Sequence, residues 1–119
     1  MVRDYDEAIN YYTKQLGFLL KEDSRMSDTK RWVVISPGEH GCRLLLAKAI
    51  TEKQENAIGN QTGGRVFLFL YTNDIESFYK RLIELNVSIV RKISTENYGK
   101  VFVFEDLYGN LWDVIEETN

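Results

Sequence analysis

The sequence contains few of the residues on which disulfides, metal clusters and nucleic-acid interfaces depend. Its 119 residues include one cysteine, one proline and one histidine. A single cysteine excludes an internal disulfide and fits a reducing compartment, so we expect a cytoplasmic protein. The net charge of -3 supplies no basic excess for a phosphate backbone, which argues against a nucleic-acid partner. No apolar run approaches the ~20 residues of a membrane span, and the N-terminus does not resemble a signal peptide.

Apolar and aromatic residues are abundant, and they occur in a pattern that the chain contains twice. Hydrophobic residues make up 44% of the chain and aromatic residues 13%, which is enough for one folded domain. Apolar side chains recur at helical spacing in "DYDEAINYYTKQLGF", beginning at Asp4, and in "NDIESFYKRLIELNVSI", beginning at Asn73. Asp4 and Glu7 form a capping-box pattern, which predicts a helix start. Three strand-like segments follow each predicted helix.

The two halves align with an offset that changes by single residues. The separation is 70 residues from Asp4 to Asp74 and 68 from Leu45 to Asp113. The second half has one more strand-like segment ahead of its helix, over Val66 to Thr72. We expect the first half to lack that strand, because only three residues precede Asp4. The true product would then start upstream, or a partner strand would cover the exposed sheet edge.

This duplication predicts a single domain of the α+β class over residues 1–119. The first module covers about residues 1–50 and the second about 64–119. Between them, residues 51–63 form a polar crossing segment that ends in glycines and has room for one helical turn.

Strand alternation assigns the aromatic residues of the second module to faces. Side chains alternate along a strand, so Phe67, Phe69 and Tyr71 are predicted to share one face of the first strand. Leu111, Asp113 and Ile115 share a face of the last strand, where Asp113 is a carboxylate in the middle of an apolar segment.

The turn "DLYGN" between the last two strands predicts how they pair. If Glu105 pairs with Asn110, Phe102 lies opposite Asp113 and shares its face. Two interpretations of these rings remain open: they fill a closed core, or they line a pocket with an acid at its floor.

Three segments carry a resemblance to a known family: "DYDEAINYYTKQLGF", "GGRVFLFLYTNDIESFYKRL" and "YGKVFVFEDLYGNLWDVIEE". They resemble the vicinal oxygen chelate superfamily, which includes glyoxalase I, extradiol dioxygenases and bleomycin-resistance proteins. The resemblance implies two tandem βαβββ modules whose curled mixed sheets enclose a cavity. It also implies a homodimer.

The resemblance further implies four metal-ligand positions in the metal-dependent members of the family. In this chain they correspond to Phe67, Leu45, Asp113 and a position before Met1. Only Asp113 offers a ligand atom, and metal sites normally use three or four protein ligands. We therefore expect no cofactor, and a divalent metal only in the alternative of a lyase, isomerase or dioxygenase with an unconventional site.

The function that these residues favour is metal-independent binding of a small, partly aromatic molecule, as in the bleomycin-resistance branch. Whether any catalysis occurs stays open. A third alternative is a binding or interaction domain whose pocket is filled by its own side chains. Asp113 would accept a hydrogen bond from the ligand or balance its charge, unless Arg65 or Lys100 pairs with it inside the protein. The predicted ligand-binding residues are Asp113, Phe67, Phe69, Tyr71, Phe102, Trp32, Leu45 and Leu111.

Overall fold

The computed structural model describes residues 1–118 and divides the chain into two compact units, Met1–Gly59 and Asn60–Asn119. Asn119, the last residue of the predicted second module, lies outside the described residues. Each unit contains both helices and strands, with three consecutive strands after its first helix, and the strands form two separate sheets, so the α+β class is confirmed. None of the helices within residues 1–118 is long and apolar enough to cross a membrane.

The first unit packs one helix on a three-stranded antiparallel sheet in the order β1-β2-β3. The Asp4 side chain accepts a hydrogen bond from the backbone nitrogen of Glu7 at 2.8 Å, which caps the first helix as its sequence predicts. Its elements are α1 (Tyr5–Asn10), a π-helical turn (Tyr11–Gln15), β1 (Leu19–Arg25), β2 (Arg31–Ser36), β3 (Leu44–Leu46) and α2 (Glu52–Ala57).

The second unit packs one helix on a four-stranded mixed sheet in the order β4-β7-β6-β5. Strand β4 runs parallel to β7, and the other neighbours are antiparallel. Asp74 caps the helix by accepting a hydrogen bond from the backbone nitrogen of Ser77 at 3.2 Å. Its elements are β4 (Val66–Tyr71), α3 (Ile75–Glu84), β5 (Ser88–Glu96), β6 (Gly99–Glu105) and β7 (Leu111–Glu117).

The core of the second unit lies between α3 and one face of the sheet. Phe104 and Trp112 stack with ring centroids 5.9 Å apart and planes 5° apart. Phe78 of α3 contacts Phe102 and Phe104 at centroid distances of 6.1 and 6.3 Å. Because these large rings are buried under α3, the odd-numbered residues of β7 lie on the other face of the sheet.

One backbone hydrogen bond occurs at the same position in each unit. The nitrogen of Val2 donates to the oxygen of Ala47 at 2.8 Å, and the nitrogen of Thr72 donates to the oxygen of Ile115 at 3.0 Å. Val2 also forms an isolated parallel bridge with Lys48. The bonded pairs are related by the same offsets, 70 and 68 residues, that align the two halves of the sequence.

The turn between β6 and β7 is built around the carboxylate of Asp106, a residue only 5% exposed. This carboxylate accepts hydrogen bonds from the backbone nitrogens of Tyr108 and Asn110, from the Asn110 amide and from the Trp112 indole, each at 3.0 Å. The backbone nitrogen of Asp106 donates to the Asn110 oxygen at 2.9 Å. The turn therefore closes inside the last strand pair, between residues 106 and 110.

This closure corrects the register predicted from the sequence. Glu105 pairs with Leu111 and not with Asn110, so Val103 lies opposite Asp113. The prediction was wrong by one residue, and a shift of one residue moves every side chain of the facing strand to the opposite face.

We expect Asp106→Ala to lower the free energy of unfolding by about 3 kcal/mol, because the buried donors around it lose their acceptor. Urea denaturation at neutral pH measures this change. Asp28→Ala, in an exposed loop of the first unit, is the matched control and should change stability little. A loss for Asp106→Ala below about 1 kcal/mol would contradict the role of this carboxylate.

Candidate functional site

Asp113 lies at the centre of the second sheet, on the face opposite α3. Its neighbours along β7 are buried on the α3 side, so alternation turns its own side chain to the other face. Across the sheet it lies beside Phe69 of β4 and Val103 of β6, and Val103 in turn pairs with Arg91 of β5. One row across four strands therefore contains an aromatic ring, an acid, an aliphatic side chain and a cation.

A cavity of about 340 Å³ lies on this face of the sheet. The rings of Phe69 and Tyr71 meet nearly at a right angle, with centroids 6.5 Å apart and planes 79° apart. Three rings of the cavity wall, Phe69, Tyr71 and Tyr98, are 58%, 59% and 57% exposed. Such a group of exposed rings in a concave site is typical of a binding surface. The residues that line the cavity are Phe69, Tyr71, Tyr98, Asp113, Ile115 and Glu117.

Tyr98 reaches the cavity from the turn between β5 and β6. The backbone nitrogen of Thr118 donates to the backbone carbonyl oxygen of Tyr98 at 3.1 Å, which holds the turn against the end of β7. The next residue, Gly99, has a φ of 146°, and a Cβ there would overlap the carbonyl oxygen of Glu116. A glycine is therefore required for the turn to approach β7 closely enough to bring Tyr98 to this site.

The burial of the Asp113 carboxylate is only partly compensated by the described residues. Its Oδ1 atom is buried and has no hydrogen-bond partner among the described residues. Burial raises the pKa of the Asp113 carboxyl above its ordinary value, and the charge of Arg91 offsets only part of that increase. Neither Arg65 nor Lys100, the partners considered from the sequence, bonds to this oxygen.

Two cations of the neighbouring strands have other partners: Arg91, on the face of Asp113, and Lys100, whose pairing with Glu116 places it on the α3 face. Arg91 donates to Glu96 at 2.9 Å, and Lys100 donates to Glu76 at 3.2 Å. Arg91 therefore acts on Asp113 through its charge alone, and the buried oxygen of Asp113 keeps an unused capacity to accept a hydrogen bond.

A second, polar depression adjoins the cavity at the ends of β4 and β7. Its volume is about 800 Å³, and Thr72, Asn73 and Glu116 contribute to its wall. Glu116 already accepts a hydrogen bond from the backbone nitrogen of Ile75 at 3.3 Å. Because it contains one ring and no buried unpaired group among the described residues, it is the weaker candidate.

Three of the residues predicted from the sequence line the cavity together: Asp113, Phe69 and Tyr71. Phe69 and Asp113 are direct neighbours in the parallel pairing of β4 and β7. Tyr71 pairs with Ile115 two residues further along both strands, on the same face. The alternation of the two strands, which was readable in the sequence, brings these side chains to one face.

Phe67 does not line the cavity, although strict alternation would place it beside Phe69. The pairing of β4 with β7 shifts between Val66 and Leu68, so Phe67 is an extra residue in a β-bulge. Its ring instead lies against Trp112, with centroids 6.5 Å apart. The predicted position of Phe67 was wrong because the sequence contains no signal for the bulge.

Phe102 belongs to the core and not to the cavity. It lies opposite Val114, it is fully buried, and its ring is 5.0 Å from that of Tyr79. The one-residue error in the predicted turn placed it on the wrong face. Leu111 shares the face of Asp113 but is half-buried next to the turn, outside the cavity wall.

Trp32 and Leu45 lie in the first unit and line a cavity of its own, with a volume of about 280 Å³. They are 41% and 48% exposed. This cavity has three cations in its wall, Lys30, Arg31 and Lys48, and its chemistry therefore differs from that of the cavity around Asp113.

Two residues of the cavity wall, Tyr98 and Glu117, and the charge of Arg91 were not predicted from the sequence. Alternation already places Ile115 on the face of Asp113, and one further step of two residues would have identified Glu117. Tyr98 and Arg91 depend on the β5–β6 turn and on two register shifts in β5, which no local pattern reveals.

The residues at the family's ligand positions do not fit a divalent metal. Within residues 1–118, no group of three or more His, Cys, Asp or Glu side chains is arranged to hold a metal ion. The strand neighbours of Asp113 are Phe69 and Val103, neither of which carries a ligand atom. What this face offers is aromatic surface and carboxylate oxygen.

We expect Asp113→Asn to raise the midpoint of thermal unfolding at pH 7. The pKa of Asp113 in the folded protein lies above its ordinary value. The free energy of unfolding of the unsubstituted protein therefore falls as pH rises through that pKa and the carboxyl ionises. The asparagine has no charge to bury. At about pH 3, where the acid is protonated in both states, the difference between the two proteins should shrink. Calorimetric scans at both pH values test this, with Asp28→Asn as the control; an equal gain at both would contradict it.

Solved structures of other proteins have the same fold. UcmS2 matches with a TM-score of 0.82 and 24% identity, over 96% of this chain and 90% of that chain. TnmS3, an antibiotic binding protein from Streptomyces sp. CB03234, matches with a TM-score of 0.77 and 23% identity, over 98% of this chain and 89% of that one. At these identities the similarity shows the fold alone.

The sequence itself shows the family. An uncharacterized protein of Shewanella frigidimarina (strain NCIMB 400) is 51% identical over 118 residues, which cover 98% of this chain and 87% of the relative. The family model described as Glyoxalase/Bleomycin resistance protein/Dioxygenase superfamily matches residues 1–114. The resemblance inferred from the sequence motifs is thereby confirmed, and the chain belongs to this superfamily.

Proposed function

We propose that this protein binds a small, partly aromatic molecule in the cavity around Asp113 and does so without a metal ion. Binding of this kind sequesters a compound and requires a pocket, not a catalytic group. The observation that carries the proposal is the group of three exposed rings, Phe69, Tyr71 and Tyr98, around a carboxylate with no partner for its buried oxygen.

The dimensions and chemistry of the cavity support this function. Its volume of about 340 Å³ lies at the lower end of the range of small-molecule sites, roughly 300–1,000 Å³. Flat aromatic compounds stack or pack edge-to-face on such rings and remove their area from water. Asp113 would orient the ligand through the charge of its carboxylate in the cavity wall.

The comparison with TnmS3 agrees with this proposal, since TnmS3 is described as an antibiotic binding protein. Sequence identity of 23% does not transfer its ligand. The shared fold, together with the rings of the cavity, supports testing aromatic antibiotics before substrates of metal-dependent reactions.

We expect a thermal-shift screen of aromatic antibiotics and metabolites to yield at least one compound that raises the unfolding midpoint. A ligand at a hundred times its dissociation constant adds about 2.7 kcal/mol of stability. Phe69→Ala and Tyr71→Ala should each weaken its binding roughly tenfold, because each removes a wall of the cavity. Ile83→Ala changes an exposed apolar residue of α3 and is the control.

Elemental analysis of the purified protein tests the metal-independent part of this proposal. Stoichiometric nickel, zinc, iron or manganese that is lost in Asp113→Asn would contradict it. Ligand affinity that is unchanged by chelating agents supports it.

We also propose that the protein forms a homodimer. The first unit exposes three apolar residues around its cavity, Trp32, Leu45 and Ile50, with 41%, 48% and 76% of their surface exposed. Exposed apolar side chains grouped around one concave surface are often covered by a partner. A second copy would remove these side chains from water.

Light scattering coupled to size-exclusion chromatography should give twice the chain mass at micromolar concentration. Leu45→Lys should shift the protein to the monomer, because a charge is buried at the interface at a cost. Asp28→Lys adds a cation in an exposed loop and should leave the dimer intact. A monomer in the unsubstituted protein would rule out this assembly.

A cytoplasmic location is part of the same proposal. The free thiol of Cys42 is exposed, which fits a reducing compartment better than an oxidising one.

A further inference from the structure

We infer that the cavity around Asp113 selects organic ammonium ions, with the cationic group in the corner between the rings of Phe69 and Tyr71. This inference rests on the proposed function and narrows its ligand class from partly aromatic molecules to aromatic or aliphatic amines and quaternary ammonium compounds. It follows from the arrangement of rings, from the sign of the charges in the cavity wall and from a contrast with the cavity of the first unit.

The rings have the geometry that attracts a cation. Phe69 and Tyr71 meet at 79° with centroids 6.5 Å apart, so two ring faces border a single corner, and Tyr98 contributes a third ring to the same cavity. The face of an aromatic ring carries negative electrostatic potential and attracts ammonium groups within about 6 Å of its centroid. Several rings around one small space are the usual means of binding methylated ammonium groups.

The charges of the cavity wall have one sign. Asp113 and Glu117 contribute carboxylates, and none of the described residues in the wall is a lysine, arginine or histidine. Asp113 has the direct need for a counter-ion, since its buried Oδ1 accepts no hydrogen bond. An ammonium group supplies both the opposite charge and N–H donors, whereas a neutral ring supplies neither.

Arg91 does not already fill this role. It lies two strands away from Asp113 in the same row of the sheet, and its guanidinium donates to Glu96 at 2.9 Å. Ser94 donates to the same carboxylate oxygen at 3.2 Å. These bonds keep Arg91 directed to Glu96, and the corner beside Asp113 stays available for a cation from the ligand.

The cavity of the first unit provides an internal contrast. Leu45 and Asp113 occupy equivalent positions in the aligned halves, and the wall around Leu45 contains Lys30, Arg31 and Lys48. A cation is repelled there and attracted at Asp113. Selectivity for ammonium compounds is therefore a property of the second unit, and a binding experiment that resolves individual residues can assign it.

The test uses three compounds that share one ring and differ in charge: tyramine, a cation; tyrosol, neutral; and 4-hydroxyphenylpropionate, an anion. Each is titrated into the isotope-labelled full chain at low ionic strength, and backbone amide shifts are followed by NMR. We expect tyramine to bind roughly tenfold more tightly than tyrosol, with the anion weakest. The shifted amides should be those of β4, β7 and the turn of Tyr98.

Two variants with the same change in net charge assign the preference. Asp113→Asn should lower the ratio of tyramine to tyrosol affinity several-fold, because the charge of this carboxylate is lost while the rings and Glu117 remain. Glu55→Gln, on the exposed surface of α2, should leave the ratio unchanged. If Glu55→Gln lowers the ratio as much as Asp113→Asn does, the preference comes from net charge and the inference is wrong.

The remaining outcomes separate this inference from the proposed function. Equal binding of tyramine and tyrosol at the same amides overturns ammonium selection and leaves the proposed aromatic site standing. Amide shifts confined to residues around Leu45 would contradict both the ammonium selection and the proposed aromatic site at the cavity around Asp113. Absence of binding by all three compounds at millimolar concentration also counts against both.

Discussion

The arrangement of the second unit depends on the hydrogen bonds accepted by one buried carboxylate, that of Asp106. By accepting from two backbone nitrogens, one amide and the Trp112 indole, it closes the β6–β7 turn inside a fixed five-residue segment. The turn sets the register, and the register decides which residues of β7 face α3. If the turn were one residue shorter, so that Glu105 paired with Asn110, Asp113 would be buried in the core and Trp112 would be exposed. The register between β6 and β7 therefore decides which residues of β7 belong to the core and which belong to the candidate site.

The two acids of this segment show how differently a carboxylate can be accommodated. Asp106 is almost fully buried, and the four hydrogen bonds that it accepts offset the cost of burying its carboxylate and stabilise the turn. Asp113 is partly buried and not satisfied, and desolvation raises its pKa. A group that weakens the fold and has no internal partner is a common feature of sites whose partner is a ligand. The well-packed rings under α3 supply the stability that allows such a residue in the centre of the sheet.

The sequence was sufficient for the elements and for part of the site, and the reasons for its failures are local. Helix caps and periodicity identified both helices, and alternation placed Phe69, Tyr71 and Asp113 on one face. Phe67 was misplaced because a bulge changes the parity of a strand without a residue type that announces it. Phe102 was misplaced because the number of residues in a turn depends on side-chain hydrogen bonds that become visible only in three dimensions.

The duplication explains why one family fold contains two cavities of different chemistry. Backbone pairing preserves the positions of Leu45 and Asp113 through equivalent hydrogen bonds at Val2 and Thr72. The paired strands therefore tolerate either side chain at this position, since a residue on the face away from the helix is not constrained by the core. An aliphatic side chain there gives an apolar surface suited to burial, and a carboxylate gives a group that still requires a partner. The chemistry of each cavity is thus free to diverge at this position, and at the charged residues around it, while the two helix-facing cores stay intact.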